Sequence, residues 1–70
     1  MKAIIDSTDQ VIEGISLSDL RGQMMRMLSI SGPRGLTATT TTGTVIHVEL
    51  YDGQDYIMTK DGRTINPAAI

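Results

Sequence analysis

Cysteine, tryptophan and phenylalanine are absent from this chain, and histidine occurs once. Without cysteine there is no disulfide and no thiolate metal ligand. A zinc site built on a single histidine would need carboxylates for its other ligands, an uncommon choice, so neither a metal nor a cofactor is expected. Basic residues are also scarce: 6 lysines and arginines stand against 8 aspartates and glutamates, a net charge of −2. That balance argues against a general nucleic-acid binder, which carries a basic face. No apolar run approaches the roughly 20 residues that span a bilayer. The opening Met1-Lys2-Ala3-Ile4-Ile5-Asp6 lacks the pattern of a signal peptide. The expectation is a cytoplasmic protein with no membrane partner.

What remains is a chain of 70 residues, 40% of them apolar. That suffices for one domain, residues 1–70, with one core. A domain of this size buries only about 60% of its unfolded surface, so a monomer would be marginally stable.

Ala3-Ile4-Ile5 and Val11-Ile12 are β-branched and apolar, and Asp6-Ser7-Thr8-Asp9-Gln10 between them has turn chemistry. This predicts a hairpin. Ser16 and Asp19 have the spacing of a capping box, with Ile15 and Leu20 at the positions of a hydrophobic staple. Leu17, Leu20, Met24, Met27 and Leu28 follow at steps of three and four, giving one apolar stripe. Arg21, Gln23 and Arg26 lie off it. Met25 also lies off it, either as core filler or as an exposed, adaptable contact. Gly22 either admits a close strand or is simply tolerated. Gly32-Pro33 is a stop signal, and the helix is expected over 17–30.

Ser31 to Gly35 reads as a loop. The threonine-rich run from Leu36 to Thr42 is either an edge strand or a mobile loop, because it offers little to bury. From Thr44 onward the pattern is a β-meander, with strands over 44–51 and 55–60 and a last one over 63–66. Asp52-Gly53 and Asp61-Gly62 are read as two-residue type I′ turns. That register pairs Tyr51 with Gln54, His47 with Met58, Lys60 with Arg63, and Met58 with Ile65. Ile46, Val48, Leu50 and Ile57 then share one face. Val45, His47, Glu49, Tyr56, Met58, Lys60, Arg63 and Ile65 share the other.

A single helix covers one side of such a sheet. On the uncovered side Tyr56, Met58, Ile65 and Val45 form an apolar patch rimmed by His47, Glu49, Lys60 and Arg63, the anatomy of an interaction surface. The competing reading folds the N-terminal hairpin or the Pro67–Ile70 tail over that patch.

Catalysis has little support. Gly32-Pro33-Arg34-Gly35 follows a helix instead of opening one, so it lacks the amides that hold phosphate. His47 and Glu49 share a strand face, where a hydrolase would use base and orienter, but no activated nucleophile is apparent. Asp6, Asp9 and Glu13 lack the loop spacing of a calcium hand and read as solvated carboxylates. Lys60 and Arg63, as paired neighbours, would suit a phosphate or an acidic protein patch. The two tyrosines, Tyr51 and Tyr56, are too few to stack a nucleic-acid strand.

Ser16-Leu17-Ser18, Gly43-Thr44-Val45 and Lys60-Asp61-Gly62 with Arg63, in the order hairpin, helix, meander, make the chain similar to small phage-encoded anti-CRISPR proteins. The likeness is to a short inhibitor of type I-F surveillance complexes. It implies a protein that binds a nuclease complex and blocks it without catalysis. Thr44-Val45-Ile46-His47-Val48-Glu49-Leu50-Tyr51-Asp52-Gly53 also resembles the opening strands of Sm-like and other SH3-like small barrels, which implies a ring-forming oligomer.

The expectation is therefore an α+β domain, a small antiparallel sheet with one helix packed on one face. Its function is non-catalytic binding to a protein partner, as a phage-type inhibitor of a bacterial defence complex. The contacts are Tyr56, Met58, Ile65, Lys60 and Arg63 on the open face, with Arg34 on the loop. An oligomer that sequesters a small ligand or nucleotide between subunits and a structural assembly subunit are the alternatives, and a homo-oligomer is compatible with each.

Overall fold

The computed structural model of the chain describes residues 1–31, 34–49 and 55–65. They form β1 (Lys2–Ile5), β2 (Val11–Glu13), α1 (Leu17–Ser31), β3 (Gly35–Thr40), β4 (Val45–Glu49), β5 (Tyr56–Met58) and β6 (Thr64–Ile65). All strands belong to one antiparallel sheet in the order β2-β1-β3-β4-β5-β6, and the helix lies against one side of it. The α+β class is thus as expected.

The first hairpin closes as the turn residues predict. The Ile5 N–H donates to the Gln10 carbonyl (2.8 Å), and the Asp9 N–H donates back to Ile5 (2.8 Å). Asp9 takes φ 58°, a left-handed conformation that aspartate tolerates better than most residues. This hairpin does not fold over the sheet. Its β1 strand pairs with β3, so it extends the sheet sideways.

The helix starts at its cap. The Asp19 N–H donates to Ser16 Oγ (3.1 Å), and Asp19 Oδ2 accepts from the Ile15 N–H (3.0 Å). The carboxylate reaches one residue beyond the usual box. Gly14 makes room for it: a Cβ there would stand 2.4 Å from Asp19 Oδ2. The predicted staple does not form. Ile15 is 94% exposed while Leu20 is fully buried, because the Asp19 carboxylate holds the Ile15 backbone and its side chain turns to solvent. The stripe itself is as expected, with Leu20, Met24 and Leu28 buried and Leu17 and Met27 packed beside them. Met25 also packs against this core and is no free contact. Gly22 faces no neighbour that a Cβ would touch, so it is tolerated and admits no strand. The Gly32-Pro33 stop lies outside the described residues.

The threonine-rich run is not an edge strand: it is an interior strand as far as Thr40, and Thr41 and Thr42 enter the turn that follows. β3 occupies an interior position between β1 and β4, and its strand starts at Gly35. Leu36, Ala38 and Thr40 point into the core, while Thr37 and Thr39 point the other way. Threonine's branched side chain fits a central strand when only every second residue must be apolar. Buried Thr40 is satisfied locally: its Oγ1 accepts from the Thr44 N–H (3.0 Å) and bonds Thr42 Oγ1 (3.0 Å).

Both connections in the meander depart from the expected register. β4 pairs with β5 as Val45↔Met58, Ile46↔Ile57 and His47↔Tyr56. That is displaced by two residues from the expected His47–Met58 pair, so every side chain keeps its face. The expected Tyr51–Gln54 pair, Leu50 and the Asp52-Gly53 turn lie outside the described residues. β5 pairs with β6 as Ile57↔Ile65 and Met58↔Thr64, a displacement of one, which reverses the face of β6.

The cause is the turn. The Thr59 N–H donates to the Arg63 carbonyl (2.8 Å) and the Gly62 N–H to the Thr59 carbonyl (2.9 Å), so the loop is Lys60-Asp61-Gly62. A type I′ turn needs positive φ at both central residues. Here Gly62 has φ 85° and Asp61 does not have a positive φ. The loop is instead a type I turn closed by a left-handed glycine bulge. The β3–β4 connection repeats it: the Thr40 N–H donates to Thr44 O, the Gly43 N–H donates to Thr40 O, and Gly43 has φ 91°. In both, the leading threonine hydroxyl accepts from the N–H four residues on.

Candidate functional site

The strand alternation creates two unlike faces. The helix side holds Ala3, Ile5, Ile12, Leu36, Ala38, Ile46, Val48 and Ile57, all buried with the helix stripe. On the helix-free side one row crosses the whole sheet: Val11, Ile4, Thr39, Val45, Met58 and Thr64 are cross-strand neighbours in turn. Val11 is 58% and Ile4 44% exposed. Four of its six members are apolar, with Thr39 and Thr64 as the members on β3 and β6, and four aligned apolar side chains are more than the scattered exposed ones of an ordinary surface.

Beside this row runs a polar one. Thr37 on β3 stands opposite His47 on β4, and Tyr56 on β5 stands opposite His47 from the other side. Thr37 Oγ1 lies 2.7 Å from His47 Nδ1, and His47 Nε2 lies 3.1 Å from Glu49 Oε1. A carboxylate only accepts, so Nε2 carries the hydrogen, and in the neutral ring Nδ1 accepts from the threonine hydroxyl. The Tyr56 ring stacks on the imidazole at 5.0 Å between centroids and 19° between planes. The chain Thr37–His47–Glu49 has the residue types of a nucleophile, a base and an orienter. Acyl transfer would also need N–H donors aimed at an oxyanion. The two strands that carry this chain are interior strands with ladder partners on both sides. Its evident effect is to fix His47 and Tyr56 in place on the face.

Asp55 ties this end of the face to the helix. It pairs with Arg21 of α1 through Oδ2, and its Oδ1 accepts from the Glu49 N–H (3.0 Å). At the other side of the sheet Thr39 Oγ1 donates to Asp6 Oδ1 (3.2 Å), which places that carboxylate on the open face.

The residues expected to form the contact surface divide. Tyr56 (37% exposed) and Met58 lie on the open face, with Val45, His47 and Glu49 around them. Lys60 is exposed at the tip, its stem against Gly43. Ile65 does not belong there: it stands opposite Ile57 and packs against the core. Arg63 is exposed but opposite Thr59, so it is not the cross-strand neighbour of Lys60, and the two do not form the expected paired site. Both corrections follow from the extra loop residue. Arg34 lies exposed in the bend between α1 and β3. The competing cover by the hairpin does not occur, and the Pro67–Ile70 tail lies outside the described residues.

Val11, Ile4, Thr37 and Thr39 are members of the face that sequence reasoning missed. The alternation of the first hairpin was visible, but only its pairing with β3 joins it to the meander. On the helix side an apolar groove runs between α1 and the β1–β2 turn, lined by Ile5, Thr8, Met27, Ile30 and Leu36 among others. It holds no charged group among the described residues that line it. No cluster of three metal-ligating side chains occurs among the described residues, and no helix among them is long and apolar enough to cross a membrane. No family model, no curated protein and no solved structure matches the chain.

Proposed function

We propose that this chain is a non-catalytic protein-binding domain whose contact surface is the helix-free face of the sheet. The row from Val11 through Met58, exposed at Val11 and Ile4 and partly exposed at Thr39, Val45 and Met58, is the observation that supports this reading. Tyr56, Met58 and Val45 supply its apolar area, and Lys60 and Glu49 supply charged rim. Tyr56 is suited to such a role, since its ring gives large contact area and is already held by His47. Arg34 stands at the margin.

The partner class we favour is a CRISPR surveillance complex, met in the bacterial cytoplasm, on the resemblance to small anti-CRISPR proteins. Purified type I-F complex tests this directly. The wild-type chain is expected to bind it and block target-DNA cleavage. Met58→Asp and Tyr56→Ala are expected to lose at least about tenfold in affinity, the scale of an interface anchor, while keeping their circular dichroism. Variants that fold and bind like wild type would remove the open face from the contact. A wild-type chain that does not bind would remove this partner class.

A further inference from the structure

The charges of the open face are laid out on two sides of its apolar row. On β1, Lys2 stands two residues before Ile4 and Asp6 two residues after it, all three on the same face. Lys60, continuing the alternation of β5 beyond Met58, falls on the Lys2 side, with Glu13 opposite Lys2. Glu49 and Tyr56 fall on the Asp6 side together with His47. One flank is thus net basic and the other acidic.

A face with an apolar midline and flanks of opposite sign is complementary to itself after a half turn about that midline. The half turn lays one apolar row on the other and brings each Lys2 over the Asp6 of the second copy. It stacks two sheets face to face, and sheet twist sets their strands about 30° apart, as in an aligned sandwich. Within the polar row both His47 ring nitrogens already have partners, so the imidazole does not oppose this burial.

We propose that, in the absence of another partner, a second copy of this chain covers the open face in a two-fold homodimer. The proposal rests on the open-face reading and names the occupant of that same surface: a foreign partner would have to displace the second copy. Strands about 4.8 Å apart give a face about 29 Å wide. The footprint is then on the order of 500 Å² per copy, at the low end for specific interfaces. The dimer is accordingly weak and concentration-dependent.

Sedimentation equilibrium of the full chain from ~1 µM to ~1 mM, a range matched to weak association, reads this out. The expected mass rises from one chain to two. Lys2→Glu, an exposed change that sets like charges against Asp6, should weaken the dimer about tenfold. The double variant Lys2→Glu with Asp6→Lys should restore it. A monomer throughout overturns the second copy as occupant, yet leaves the open-face reading intact if Met58→Asp still abolishes binding to the surveillance complex. A dimer indifferent to Lys2→Glu and to Val45→Asp places self-association elsewhere and also overturns the proposal.

Discussion

Val45 and Ile46 are adjacent on β4, have similar side chains, and live in different surroundings. Ile46 is fully buried between the helix and the neighbouring strands, whereas Val45 lies on the open face between Thr39 and Met58. The same contrast runs along every strand. The helix side holds the fold together, and the open side carries apolar area that none of the described elements covers. A domain this small has little apolar surface to spare, yet Val11, Ile4, Val45 and Met58 align in one row, interrupted only by Thr39.

The contrast has measurable consequences, the largest first. Ile46→Ala should cost about 2–5 kcal/mol, the range for emptying a buried aliphatic site, and Val45→Ala less than about 1 kcal/mol. Urea denaturation of both variants checks this. Equal losses would mean that Val45 is as buried in solution as Ile46 and would dissolve the distinction between faces. Gly62→Ala should cost on the order of 1–2 kcal/mol, since an L side chain resists φ 85°. Its effect should fall on the pairing of β6 that keeps Ile65 on the core side, read by amide exchange at Thr64 and Ile65. Ser16→Ala should cost about 1 kcal/mol through the helix cap alone. Gly22→Ala should raise stability by about 0.5–1 kcal/mol, because the site is open and alanine favours the helix. Ile15→Ser should change stability by less than about 0.5 kcal/mol, as a side chain outside both faces must.

Two misplaced registers show how legibility depends on arithmetic. Two-residue turns displace the β4–β5 pairing by two residues and leave every face right. They displace the β5–β6 pairing by one, which puts Ile65 and Arg63 on the wrong side. Alternation has period 2, so only odd errors matter to a surface prediction. The signal that would have prevented the odd error is present twice, as Thr40-Thr41-Thr42-Gly43 and Thr59-Lys60-Asp61-Gly62. A threonine three residues before a glycine marks a bulged three-residue loop here, because the hydroxyl holds the N–H beyond the glycine. Asp-Gly alone reads equally well as a two-residue turn.

The local periods are legible in the residues alone: the helix, expected over 17–30 and found over Leu17–Ser31, with its cap, the first hairpin, and the alternation that splits β4 and β5 into an inner and an outer set. These follow from neighbours a few residues apart, where sterics and capping bonds act within the segment. Tertiary structure decided what distant segments do to one another. It put the threonine strand inside the sheet, joined the first hairpin to the meander, moved Ile65 into the core and assembled Thr37, His47 and Glu49 into one hydrogen-bonded chain. Such pairings depend on which strands share a ladder, and residues far apart in the chain carry no local mark of the neighbour they will meet.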